Sequence, residues 1–155
     1  MVKIMQKNNK FTPENIEAIL ESINVSYEKI NLPDNDINYL IQYKTYGKLE
    51  PLNSISALLF FSPQNHTSNL IVMNIYKIED PKILSVCYKI INSVNLTITG
   101  GSFSITEGEK QQIIYRNTID CAFGLESEMI SKQLNDSIVA IEKLFELLIL
   151  RKGEK

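Results

Sequence analysis

The order in which apolar patterns follow one another constrains this chain more than any single residue does. An amphipathic helix signal comes first, then three apolar strand signals, a second helix, a hairpin and a long apolar C-terminal helix. That succession predicts an α+β fold: an antiparallel sheet of about five strands with three helices, in the order α-β-β-β-α-β-β-α. The 155 residues fit one domain, large enough to bury roughly 70% of the unfolded surface.

The local signals carry that order. Thr12-Pro13-Glu14 reads as a helix start, with Thr as N-cap, Pro at the first helical position and an acid in the first turn. Ile16, Ile19, Leu20 and Ile23 then form one stripe, and Asn24 ends it. Residues 1–11 show no sustained period and read as a flexible segment. Residues 25–31 read as at most a short irregular strand, and Pro33-Asp34-Asn35-Asp36 as a turn. Ile37 to Lys44 alternates and reads as a strand. Ser54 to Phe61 and Leu70 to Ile78 are continuous apolar runs, so both are expected to be covered on both faces. Asp80-Pro81 opens the second helix, whose stripe of Ile83, Cys87, Ile90 and Val94 is widened by Leu84 and Ile91. Gly100-Gly101 bends into a hairpin whose return strand puts Ile113, Tyr115, Asn117, Ile119 and Cys121 on one face. Ser127 starts the last helix. Its stripe of Ile130, Leu134, Ile138, Ile141, Phe145 and Leu148 leaves Val139, Leu147 and Leu150 outside it.

Composition and motifs exclude several functions. A net charge of −2 offers no electrostatic reason to bind nucleic acid or anionic lipid. The first ten residues lack the apolar core of a signal peptide, and no uncharged run approaches a membrane span, so a cytoplasmic protein with no membrane partner is expected. His66 is the only histidine, and Gly-x-Ser-x-Gly is absent, so no catalytic triad can be assembled and no enzyme is expected. Cys87 and Cys121 stand too far apart in sequence for a zinc pair and read as buried thiols. Gly100-Gly101-Ser102 precedes a strand and lacks the P-loop lysine. The paired acids Asp34/Asp36 and Glu107/Glu109 lack a calcium loop. No cofactor, metal or catalytic residue is therefore expected.

A family pattern does emerge. A helix ending in Asn92 to Asn95 is followed by Gly101-Ser102-Phe103-Ser104-Ile105, an acidic-glycine turn, Ile114-Tyr115-Arg116 on the return strand, and a long helix beginning Ser127-Glu128. This resembles the YbjN-like domain, a bacterial relative of the type III secretion chaperone fold. The resemblance implies a twisted five-stranded antiparallel sheet, frequent homodimerisation, and a regulatory or chaperone-like role exercised by binding protein. From the residues themselves, the broad face of the second helix (Leu84, Tyr88, Ile91) and the off-stripe Leu147 and Leu150 are the expected dimer or partner surface. Fold-back of Ile4 and Phe11 over that patch is the competing account. The alternative function is a small-molecule-binding module with its ligand between sheet and helix. An open apolar groove favours a peptide, and a closed cavity with convergent polar groups favours a small molecule.

Overall fold

A computed structural model describes residues 11–46, 49 and 53–153, with side chains described up to residue 149. The expected flexible segment before Phe11, with Ile4, and the side chain of Leu150 lie outside the described residues. Helix α1 is Pro13–Ser22; strands β1 (Ser26–Ile30), β2 (Ile37–Lys44), β3 (Ser54–Ser62) and β4 (Thr67–Lys77) follow. A 3-10 turn at Pro81–Ile83 leads into α2 (Leu84–Asn95), then β5 (Ser102–Ile105), β6 (Gln112–Asp120) and α3 (Ser127–Gly153). All neighbours are antiparallel, in the order β1-β2-β3-β4-β6-β5. Among the described residues the sheet thus has six strands. The sixth is Ser26–Ile30, whose exposed Glu28 and Lys29 obscure its alternation in the sequence.

The helix ends follow from local chemistry. The Thr12 hydroxyl accepts from the Asn15 N–H at 3.3 Å, satisfying one orphan donor of α1. At the other end Asn24 adopts a left-handed conformation (φ 59°), and the Asn24 and Val25 N–H groups donate to the Glu21 and Leu20 carbonyls. This is a Schellman closure with asparagine where glycine is usual. Asp80 caps the 3-10 turn by accepting from the Lys82 N–H at 3.0 Å. The paired glycines at the hairpin entrance have a steric reason. A Cβ at Gly101 would collide with the Tyr115 hydroxyl, and one at Gly100 with the Asp136 carboxylate.

The helices pack on one face of the sheet. Tyr39 and Ile41 of β2, Leu59 and Phe61 of β3, Leu70 of β4 and Ile113 and Tyr115 of β6 meet Ile16, Leu20, Ile130, Ile138, Ile141 and Leu144 there. Each large aliphatic side chain so buried contributes about 1.5–3 kcal/mol. A buried polar layer ties α3 to the sheet. Gln133 Nε2 donates to the carbonyls of Ser68 (2.9 Å) and Asn117 (2.8 Å), while Ser68 Oγ donates to Gln133 Oε1 at 2.9 Å. The Tyr43 and Ser137 hydroxyls lie 2.7 Å apart, and burial pushes the Tyr43 phenol well up. No buried side-chain N or O among the described residues lacks a hydrogen-bond partner. Burying these groups without such partners would cost about 1–3 kcal/mol each.

Among the described residues no helix lies on the opposite face of the sheet, where the sequence predicts that β3 and β4 are covered on both sides. Leu58, Phe60 and Ile71 are half-buried only, and Leu40 and Met73 are 48% and 49% exposed. A correction concerns α2. Ile91 is 3% exposed and belongs to the core, so it is unavailable to a partner. Leu84 and Leu147 pack partly against that core, leaving Tyr88, at 43% exposure, as the outward residue of the expected patch.

Candidate functional site

The β3–β4 ladder runs from Ser62/Thr67 to Leu58/Ile71 and goes no further, although both strands continue. The reason lies in β4. Between Val72, opposite Tyr115, and Tyr76, opposite Ile113, the register with β6 slips, because three β4 residues stand against Ile114. Asn74 takes the left-handed conformation (φ 59°) that the bulge needs. Its N–H donates to Gln112 Oε1 at 2.5 Å, so a side chain replaces the missing ladder partner. The bulge bends β4 away from β3 and splits the sheet.

The split opens a groove of about 790 Å³ lined from both faces of the sheet, by Leu40, Leu58, Ile71 and Met73 on the outer face and by Ile41, Ile55 and Val72 on the face towards α3. Its walls are Ala57 and Leu58 on one side and Ile71 and Met73 on the other, with Leu40 beside them. Ile141 and Phe145 of α3 form its depth, so the helix layer is reached through the sheet. The polar rim comes from Ser26, Glu28, Gln42, Ser54 and Ser56; Gln42 Nε2 donates to Ser54 Oγ at 2.8 Å. Tyr27 also lines it. Its hydroxyl donates to Glu21 Oε1 at 2.8 Å, which with partial desolvation pushes the phenol up to about 12. Tyr39 is shifted in the same direction, by burial first and then by donation to Glu17.

Chemically the groove is a binding surface with one carboxylate, Glu28, among its lining residues. Among the described residues no cluster of three His, Cys, Asp or Glu is arranged to hold a metal ion, and no helix is long and apolar enough to cross a membrane. His66 lies in the exposed β3–β4 turn, where its ring meets that of Phe11 at 5.9 Å. Phe11 also packs edge-on against Phe61 at 6.3 Å, on the helix-covered side. Of the residues expected to form a partner surface, Leu84, Tyr88, Ile91 and Leu147 are all outside the groove. The sequence reading missed Leu40, Leu58, Ile71 and Met73. Their signal was present in the two-sided apolarity of β3 and β4, which demands a cover that the described residues do not place on one face.

No protein-family model, no curated protein and no solved structure matches the chain.

Proposed function

We propose that this chain is a non-enzymatic bacterial protein that works in the cytoplasm by protein–protein binding, in a regulatory or chaperone-like role. The helix-free sheet face is its binding surface. The observation that carries the reading is the open, largely apolar groove through the split between β3 and β4. A closed cavity with convergent polar groups would favour the small-molecule alternative. The groove is open, and one carboxylate lines it. Apolar surface of this kind on a sheet suits an extended polypeptide, whose alternate side chains can enter the cleft. The element order and the Gly101-to-Ile105 and Ile114-to-Arg116 segments also resemble the YbjN-like domain, a relative of secretion chaperones, which supports the same class of function.

An aggregation assay tests the holding role. Light scattering of reduced insulin B chain is followed with and without the protein in molar excess. The wild type is expected to delay scattering, and Leu40→Lys with Met73→Lys to lose most of that effect. These two side chains are about half exposed, so the variants are expected to keep the fold. Scattering that is identical with and without the wild type contradicts the holding role.

A further inference from the structure

We propose that the helix-free sheet face is the interface of a twofold homodimer in which Glu28 of each copy meets Arg116 of the other. This rests on the reading above only in taking that face as the binding surface.

The register gives the argument its geometry. Glu28 pairs with Leu40, Leu40 with Leu58, Leu58 with Ile71 and Ile71 with Arg116. These five residues form one row across five adjacent strands, all on the face that no described helix covers. The row is acidic at one end, basic at the other and apolar between, with the charges about 19 Å apart at four strand spacings. Leu58 is its midpoint. A twofold axis lying between two stacked sheets, parallel to the strands and over Leu58, exchanges the ends of the row. Glu28 then faces Arg116 twice, Leu40 faces Ile71 twice, and Leu58 faces its own copy. The next row, Ile30, Asn38, Phe60, Asn69 and Thr118, obeys the same axis. It sets Phe60 on Phe60; Asn38 is buried in its own chain, donating to Asp34 Oδ1 and the Asp36 carbonyl, and takes no part. A twofold running along the row instead would place Glu28 on Glu28 and Arg116 on Arg116, so the charges select one arrangement.

Three further observations agree. The Glu28 and Arg116 side chains are exposed and make no ion pair among the described residues. The two middle strands of the row, β3 and β4, carry apolar residues on both faces, as strands covered on both sides do. Sheets stacked face to face lie about 10 Å apart, within reach of Glu and Arg side chains extended towards each other. The footprint of five strands by three outward residues is about 500 Å² per copy, or about 1,000 Å² in all, at the lower end for a specific pair. A reversible dimer is therefore expected, and a client segment competes with the second copy for the same face. A peptide in the groove alone leaves Arg116 outside, because the lining ends at Ile71 on that strand row.

Sedimentation equilibrium of the full chain tests this. The wild type is expected to approach twice 17.7 kDa at tens of micromolar and to dissociate on dilution. Glu28→Arg and Arg116→Glu create two like-charge pairs per dimer, and each is expected to weaken association by about tenfold or more. Mixing the two variants in equal amounts is expected to restore the dimer, since every opposed pair in the mixed dimer is again of opposite sign. A wild type at 17.7 kDa throughout, or a dimer indifferent to the reversals, or reversals not rescued by mixing, overturns the proposal. A monomer that still delays client aggregation overturns the dimer and leaves the holding role standing. A rescued dimer that never delays aggregation supports the interface and removes the holding role.

Discussion

Asn95 holds Phe103 by both of its main-chain groups: the Phe103 N–H donates to Oδ1 at 2.8 Å, and Nδ2 donates to the Phe103 carbonyl at 3.1 Å. Phe103 sits on β5, an edge strand paired on its other side with β6. The last residue of α2 thus acts as a one-residue neighbouring strand, and it blunts an edge that would otherwise offer unpaired groups to another chain. Asn95→Ala is expected to lower stability by about 1–3 kcal/mol in urea unfolding, since both main-chain groups lose their partner. A loss below about 0.5 kcal/mol contradicts this role.

The last helix separates core from surface within one turn. Ile138 and Ile141 are buried, while Val139 between them is exposed. Ile138→Ala and Ile141→Ala are each expected to cost about 2–5 kcal/mol, from lost transfer energy and the cavity left behind. Val139→Ala is expected to stay within about 0.5 kcal/mol. Thermal unfolding of the three variants checks the order, and a costly Val139 substitution refutes the assigned helix phase.

As an exposed turn residue outside any catalytic set, His66 predicts from the sequence a change of no more than about 0.5 kcal/mol on substitution by alanine. The structure places His66 at φ 55°, in the left-handed region. Histidine already carries a β-carbon there, so alanine is expected to stay within about 0.5 kcal/mol of the wild type, whereas glycine, which has none, relieves the strain and is expected to be the more stable variant. Comparing His66→Ala with His66→Gly by urea unfolding decides it; the reverse order contradicts the backbone argument.

Both thiols are buried, and burial pushes Cys87 up and Cys121 up to about 11. The folded state favours the protonated thiol. This contribution is fully present below the ordinary thiol value of 9.0 and is lost as pH rises through about 11. A thiol reagent at pH 8 is expected to label neither cysteine until urea is added. Above pH 9 the urea midpoint is expected to fall, and less steeply in Cys121→Ala. Rapid labelling of the folded protein contradicts the burial.

Much of the fold was legible because local chemistry and global packing agree. Thr12-Pro13 starts α1 and Asn24 ends it, and the stripe from Ile130 to Leu148 faces the core. The strand Ser26–Ile30 was faint because an edge strand carrying Glu28 and Lys29 has little alternation to read. The buried layer of Ser68, Asn117 and Gln133 was illegible, since polar residues show their partners only once β4, β6 and α3 meet. The candidate site escaped for a related reason. Periodicity places Leu58 and Ile71 on strands, but the split beside them depends on a register slip at Asn74 that appears only against β6.

The central claim is that two copies of this protein meet through the helix-free sheet face. Amide 1H–15N spectra recorded from about 20 μM to 1 mM test it directly. The account predicts concentration-dependent shifts clustered on Glu28, Leu40, Leu58, Phe60, Ile71 and Arg116. Shifts clustered instead on Leu84, Tyr88 and Leu147, or spectra unchanged over the whole range, contradict it.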